Sequence, residues 1–571
     1  MVIRIEGMGT SMLDVNARSF RGRVCEYTID DRHLITPAVL RSDVSGEGDR
    51  IEVSDKGRAL RIMGRTVPLD GTISVTASSG QRTAVRQDGN VAIVSLPLPD
   101  DLSFSEDVDI VVVPNAFDLR SNARLLVDQV IKLRQAAGYN RLVAMLGIAD
   151  PSTLALLVYM GIDILDDSAA AATGLSGIRM VPEGEIQASG DVSEENRQEM
   201  VRECAKVRDF IEGGRLRELV DQRSSSSPIS VAVLRLFDDI GYQYQEESVD
   251  DVGRRFSCNT TQSLRRPDVL KYRRQILERY EKPAHKRVLV LLPCSAKKPY
   301  HASKTHKMFG TAVHASNYET VVHEVIVTSP LGAVPRELDS FYPANSYDIP
   351  VTGEWKCEEK RFIKELVGHI ISQGYDTVIS HLGEDTELVR DLCPDMIETV
   401  VGDAVSPASL ENLEKALRES TKGMELGNYY QDRRECVKSI LRFQFGKEAA
   451  DRIMDEDTYA IGKYPYWKLL RNKVQLGMIS EERGMFSLTL DGAQILSDCG
   501  CNTVQMMDFE LKGNLFAVGV TGADPNIRIG DEAVVINNGK VVGVGVAMMS
   551  GREMVDLRRG IAVKIRHKVK G

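Results

Sequence analysis

The stretch VLVLLPCSAKKPYHASKTH, residues 288–306, places a cysteine, two adjacent lysines, a tyrosine, a serine and two histidines directly behind an apolar run. The run predicts a strand over 287–292, and Pro293, which has no N–H, ends its ladder. Cys294 and Ser295 then emerge at the carboxyl end of a strand, where open α/β sheets bind ligands. Cationic neighbours such as Lys297, Lys298 and His306 draw a thiol toward its reactive thiolate. Tyr300 and Ser303 add hydroxyls that can bind a polar substrate or donate a proton. The alternative is a buried structural cysteine followed by a solvated basic loop.

Neighbouring loops supply further polar groups. TSPLGAVPREL (328–338), YPANSYDIPVTGEW (342–355) and HLGEDTEL (381–388) follow or connect predicted strands. In a parallel sheet such loops share one rim, so Ser329, Asp348, Glu354 and His381 are candidates to line a pocket with Cys294. Seven of the nine histidines fall between residues 285 and 381, which concentrates the chemistry in the middle of the chain.

The elements that must position these groups follow from periodicity. At 571 residues the chain exceeds one hydrophobic core. Over the first 250 residues, strand-like runs such as DIVVVPNAF (109–117) alternate with helical patterns such as RSNARLLVDQVIKLRQAAGY (120–139), as in a parallel sheet or barrel. QRSSSSP (222–228) is expected to be a flexible loop, and RRPDVLKYRRQILERYEKP a basic helix leading out of the first domain. From 286 to 420 the alternation returns with RVLVLL, HEVIVT, DTVISHL and ETVVG, the pattern of a doubly wound sheet. A small α+β module follows, and then short strands with glycine turns, where Asn538-Gly539 between apolar runs signals a hairpin of a small β-barrel. The expected domains are 1–283, 284–425, 426–498 and 499–571.

The formal net charge is −10, yet residues 552–571 carry seven Lys/Arg against two Asp/Glu, and residues 254–287 carry eleven against three. Two basic segments on an acidic chain leave nucleic-acid binding open. Nine scattered cysteines without a CxxC pair argue against a disulfide framework and a classical zinc site. No leader pattern or membrane-length apolar run is present, so a cytoplasmic protein is expected. No G-x4-G-K-S/T loop occurs, so no nucleotide cofactor is expected.

Cys294, Lys298-Pro299-Tyr300, Ser303 and His306 together match P-C-x3-K-P-Y-x2-S-x2-H, and in this the chain resembles the archaeal archaeosine synthase family, paralogous to tRNA-guanine transglycosylase. SPLGAVPREL and YDIPVTGEW resemble further blocks of that family. The N-terminal half resembles a transglycosylase-type, TIM-like barrel, and GVGVAMMSGREM with RRGIAVKIRH resembles a PUA RNA-binding domain. Gly161 to Asp166 matches the phrase that ends in the transglycosylase nucleophile, but the following P-T-R, the zinc-binding C-x-C-x2-C and the block carrying the second acid are missing. Asp166 is therefore expected to be a relic or a helper in base binding.

The resemblance implies a tRNA substrate carrying 7-cyano-7-deazaguanine at position 15 in its D-loop. Free lysine adds to the nitrile through its side-chain amine, and a radical SAM partner later cleaves the amidine adduct. On this reading Cys294, Lys298, Tyr300, Ser303 and His306 are catalytic, and Ser295, Lys297, Ser329, Asp348, Glu354 and Asp166 bind substrate. Glu384 is a further candidate for holding lysine, and Cys294 either bonds to the nitrile or stands beside it. Arg552, Arg558, Arg559, Lys564, Arg566 and Lys568 suit tRNA phosphates. No metal is expected, and transglycosylase relatives make a homodimer plausible. Two rival readings stay open: a non-catalytic tRNA-binding scaffold, and an active tRNA-guanine transglycosylase.

Overall fold

The computed structural model describes residues 11–43, 47–55, 57–70, 85–250, 254–425, 427–480 and 483–569. The first ten residues, which bear on a leader, and Lys570 of the basic tail lie outside the described residues. The chain divides into two compact units: residues 1–249 with 516–519 and 552–562, and residues 250–515 with 520–551 and 563–571. Among the described residues no helix is long and apolar enough to cross a membrane.

In the first unit β1 (Met12–Ser19), β2 (Gly22–Ile29) and β3 (Arg32–Thr36) form an antiparallel sheet. Nine further strands make a second sheet. They are β4 (Ala38–Asp43), β5 (Arg50–Ser54), β6 (Gly57–Ile62), β7 (Arg65–Pro68), β8 (Val85–Asp88), β9 (Val91–Val94), β10 (Ile110–Val113), β11 (Leu142–Met145) and β12 (Ile164–Asp166). Their spatial order is β7-β6-β5-β4-β12-β11-β10-β9-β8. One face of these strands meets in a single core of Leu40, Ile51, Leu60, Val67, Ile93, Val112, Ala144 and Ile164. Arg86 on β8 donates to the Pro68 carbonyl on β7, so the two edge strands approach and the sheet is barrel-like. On the opposite face Val94, Val113, Val143 and Leu165 pack with helices α1 (Ala123–Ala137) and α2 (Leu154–Tyr159).

An eightfold βα repeat does not account for this sheet. β5, β6 and β7 are joined by antiparallel hairpins, as are β8 and β9. The turn Met63-Gly64, with both residues at positive φ, is too short to carry a crossover helix. The serine run also departs from expectation. Residues 224–226 form a helical turn with Ser224 buried, and Ser227 caps α3 (Pro228–Ile240) by accepting from the Ser230 N–H at 3.2 Å.

The second unit begins at residue 250 rather than near 283. The reason is α4 (Pro267–Glu278), whose Val269, Tyr272 and Ile276 are buried in this unit's core, so the basic helix packs here instead of leading out of the first unit. The central sheet contains β13 (Val288–Pro293), β14 (Val322–Thr328), β15 (Gly332–Pro335), β16 (Thr377–Ser380) and β17 (Ile397–Glu398) in the order β15-β14-β13-β16-β17. All neighbouring pairs are parallel except β14 with β15.

Alternate residues of β13 face opposite sides. Val288, Val290 and Leu292 pack with Phe309 of α5 (Lys304–Ala315) and Leu413 and Leu417 of α7 (Pro407–Ser420). Leu289 and Leu291 join a core with Ile363 and Leu366 of α6 (Cys357–Ser372), Tyr272 of α4, and Ile440 of α8 (Tyr429–Phe445). A strand buried on both faces explains the unbroken apolar run of 288–292.

Beyond α8 lie four antiparallel strands, β18 (Thr458–Ile461), β19 (Lys468–Arg471), β20 (Val474–Ser480) and β21 (Met485–Leu488), and α9 (Leu490–Asp498). A last sheet of six strands follows, built from β22 (Thr503–Met506), β23 (Leu515–Phe516), β24 (Val520–Ala523), β25 (Glu532–Asn537), β26 (Lys540–Ala547) and β27 (Ile561–Lys568). Asn538 and Gly539 both take positive φ between β25 and β26, the hairpin their sequence predicts.

Leu291 is fully buried in the central strand, and Leu291→Ala is expected to destabilise the second unit by about 2–5 kcal/mol in denaturant unfolding. Val401→Ala, at a position 63% exposed, should change stability by less than about 0.5 kcal/mol.

Candidate active site

The register of the central sheet sets the site. Pro293 lies opposite Val327, so Cys294 leaves the end of β13 beside Thr328, the last residue of β14. The Thr328 hydroxyl lies beside the Cys294 sulfur, where it favours the charged form, and donates to the Ser329 carbonyl at 3.0 Å. It also lies 2.6 Å from the Tyr347 hydroxyl and accepts from the Tyr300 hydroxyl at 3.2 Å. The two tyrosine hydroxyls bond to each other, and all three side chains are buried. Tyr347 is fixed by a short parallel pairing of residues 256–257 with 347–348. The Lys298 ammonium sits 4.1 Å from the centre of the Tyr347 ring. Cys294, Lys298, Tyr300, Thr328 and Tyr347 thus form one cluster at the carboxyl end of the central strand.

The electrostatics differ from the sequence expectation. Burial pushes the Cys294 thiol up, and the opposing pulls of Thr328 and Lys298 do not overcome it. The sulfur is therefore held as a thiol rather than as a resting thiolate. Burial likewise pushes the Lys298 ammonium down, against the pulls of Cys294 and Asp348, which favours a neutral amine. Tyr300 and Tyr347 are raised by burial, so both remain proton donors.

His306 sits outside this cluster of hydroxyls. It is buried, and its Nδ1 accepts from Arg336 Nη2 at 2.9 Å, which leaves the proton on Nε2, a buried atom with no hydrogen-bond partner among the described residues. Burial and then the Arg336 guanidinium push it down to about 3, so it is neutral and its one lone pair is occupied. It holds the loop and has no free lone pair with which to take a proton. Ser303 caps α5, its hydroxyl accepting from the His306 N–H at 3.1 Å. His301 accompanies this layer: Asp339 accepts from the His301 N–H at 2.7 Å and lies 2.9 Å from its Nδ1. Burial opposes the Asp339 charge, but His301, Arg336 and Tyr464 hold its carboxyl below the ordinary value.

The other candidates separate into lining and non-lining groups. Ser329 is 6% exposed, and its buried hydroxyl has no hydrogen-bond partner among the described residues. Asp348 is exposed, and Lys298 is within reach of its field. Ser295 donates to the Lys297 carbonyl at 3.1 Å, and Lys297, Glu354 and Glu384 are exposed. His381 is fully buried between Thr399 and the Ala404 carbonyl, which removes it from the rim. Asp385 approaches Cys294 instead and accepts from Trp355 Nε1 at 2.7 Å. Thr328, Tyr347 and Asp385 are the groups that motif reading missed. Thr328 opens one quoted loop and Tyr347 precedes Asp348 in another, so strand-end position was the available signal.

In the first unit Asp166 is 2% exposed, accepts from the Gly147 N–H at 2.6 Å, and is pushed up by burial. Much of the basic C-terminal set is also engaged. Arg552 pairs with Glu247 at 2.8 Å and Arg559 with Asp14 at 2.9 Å. Arg566 binds the Glu532 carboxylate and the Leu488 carbonyl, and Lys568 donates to the Lys512 carbonyl at 2.8 Å. Arg558 and Lys564 are exposed. Among the described residues no three His, Cys, Asp or Glu side chains cluster as a metal ion requires.

Residues 269–417 match the model of a domain of unknown function, DUF5591, and residues 505–569 match the PUA domain. The chain is 34% identical to an archaeosine synthase subunit alpha from Thermoplasma acidophilum, over 80% of this chain and 88% of the relative. It is 30% identical to an archaeosine synthase from Haloferax volcanii, over 98% of this chain and 99% of the relative. A tRNA-guanine(15) transglycosylase from Methanobrevibacter smithii is 25% identical over 64% of this chain and 53% of that protein.

A pH prediction follows from His306. An unfolded histidine titrates near 6.5, whereas this one is held at about 3, so below pH 6.5 only the unfolded chain takes up the proton. Stability from this group is therefore lost as pH falls, by about 2 kcal/mol between pH 7 and pH 5. His306→Gln should remove that component, which unfolding of the second unit at the two pH values measures.

Proposed function

The chain belongs to the archaeosine synthase family, and from that premise we propose that it joins free lysine to the nitrile of 7-cyano-7-deazaguanine at position 15 of tRNA. The observation that carries this reading is the Cys294 thiol held among the hydroxyls of Thr328, Tyr300 and Tyr347, with Lys298 beside it. A nitrile is a weak electrophile that needs a nucleophile and a proton donor together. A half-buried thiol among neutral hydroxyls offers both.

In this reaction the Cys294 sulfur bonds to the nitrile carbon and a proton passes to the nitrile nitrogen, giving a thioimidate. The hydroxyl cluster supplies that proton and is reset by the thiol proton. The ε-amine of lysine then attacks the same carbon, the carbon–sulfur bond breaks, and the thiol returns with an amidine as product. Atoms balance without oxidant or reductant. Lys298, whose ammonium is lowered by burial, takes the proton released by the incoming amine and passes it to the departing sulfur, so that both return to their starting states. Asp348 and Glu354, both exposed, hold the α-ammonium of lysine, and Ser329 offers its hydroxyl to the base.

The domain reading follows the same premise. The five-stranded sheet with helices on both faces is read as a doubly wound core, and the barrel-like sheet as a degenerate transglycosylase barrel. The PUA domain is the RNA-binding part, a separate radical SAM protein acts on the adduct, and the enzyme works in the cytoplasm as a homodimer. Transglycosylation is disfavoured, because Asp166 is sealed and bonded to the Gly147 N–H.

Incubating the protein with tRNA that carries the nitrile base and with labelled lysine should make the label tRNA-bound. A pure scaffold would leave it free, and a transglycosylase would also leave it free but would release labelled guanine from a second, guanine-labelled tRNA. Thr328→Ala and Tyr347→Phe should each lower kcat by about 10²-fold with little change in KM for lysine, as expected for loss of a proton donor.

A further inference from the structure

We infer that the solvent face of the small module spanning residues 428–475 is a stacking platform for unpaired nucleotides of the RNA substrate. The inference rests on the proposed tRNA substrate and concerns how that RNA is held, apart from the lysine chemistry.

Several large side chains are exposed on this module. Tyr430 is 66% exposed, Tyr466 45%, Tyr459 38% and Ile461 36%. Tyr459 and Ile461 lie on one face of β18, an edge strand, with Thr458 and Ala460 buried on the other. Lys468 lies directly opposite Ile461 in the β18–β19 register and is also exposed. Arg433 links the helix to this face, its guanidinium 5.0 Å from the Tyr430 ring centre and donating to the Gly462 carbonyl at 3.0 Å. Gly462, at φ 101°, lets the loop close onto Tyr466, since a Cβ there would meet the Tyr466 carbonyl at 2.5 Å.

The chemistry of the patch selects its occupant. A contiguous apolar surface on a protein marks an interaction site. Planar phenol rings interleaved with cations suit a strand of nucleotides, because every base offers a π-face to an aromatic ring and every linkage a phosphate to a cation. Arg433 engages the Tyr430 ring and the carbonyls of Tyr429 and Gly462, so its charge is not neutralised by a carboxylate among the described residues. Glu456 and Asp457 are exposed just before β18 and are the acidic groups that oppose phosphate binding there. By contrast, several cations of the C-terminal tail are engaged within the protein. Single-stranded segments meet these requirements, whereas a duplex hides its base faces.

The test is the affinity of an unmodified tRNA transcript, which requires neither nitrile nor lysine, so failure of the lysine reaction leaves it intact. Tyr430→Ala and Tyr466→Ala should each weaken tRNA binding by about 5-fold or more, while Tyr430→Phe and Tyr466→Phe bind as the wild type does. Lys468→Gln should reduce the salt slope of binding by about one. A duplex representing one tRNA stem should bind all the tyrosine variants equally. Alanine variants that melt normally and bind the transcript within twofold of wild type would overturn the inference. So would an equal loss on the duplex, and so would phenylalanine variants as weak as the alanine ones.

Discussion

The active-site account depends on one constraint: the Cys294 sulfur is desolvated at the end of a strand buried on both faces. Desolvation alone would make the thiol inert, since it raises the cost of the thiolate. What changes its character is the company fixed around it. Thr328 is delivered by the neighbouring parallel strand, Tyr300 by the loop that follows, and Tyr347 by a short strand pairing from another part of the unit. Each donor is rigid because each is buried, and a buried hydroxyl has few other partners to choose from. The site is thus arranged to move a proton and form a bond together, without a standing anion. That suits a neutral electrophile such as a nitrile better than it suits a charged one.

A second layer keeps this arrangement in place. His306, Arg336, Asp339, His301 and Tyr464 form a connected polar group behind the loop, with Ser303 capping the helix that follows. Its members carry strong motif character, yet their hydrogen bonds are directed at one another. In the proposed reaction the division between reacting and supporting residues runs through the middle of the motif: Cys294, Lys298 and Tyr300 on one side, Ser303 and His306 on the other.

Much of this was legible from the residues. The run 288–292 announced a strand buried on both faces, and Pro293 marked its end, so the location of Cys294 at a carboxyl edge followed from chain chemistry. The Asn538-Gly539 hairpin was equally plain. What stayed hidden depended on distant pairing. Tyr347 and Thr328 become partners of Cys294 only through parallel register, which no local pattern encodes. The sign of the Cys294 shift was misjudged because nearby lysines are visible in a sequence and burial is not. The hairpin of β6 and β7 stayed hidden for a related reason: a TIM-like barrel expects a helix between successive strands, and the tight turn at Met63-Gly64 carries none. Basic residues near the C-terminus looked free as a list, and the fold spends several of them on Glu532, Glu247 and Asp14.

The central claim is that the Cys294 sulfur itself bonds to the nitrile carbon. Intact-mass measurement of the protein mixed with an RNA fragment bearing the nitrile base, with lysine withheld, tests it directly. The account predicts a species heavier by the mass of the RNA, absent in Cys294→Ala and discharged to free protein and amidine product when lysine is added. Lysine transfer at the wild-type rate by Cys294→Ala, with no covalent species in either protein, would contradict it.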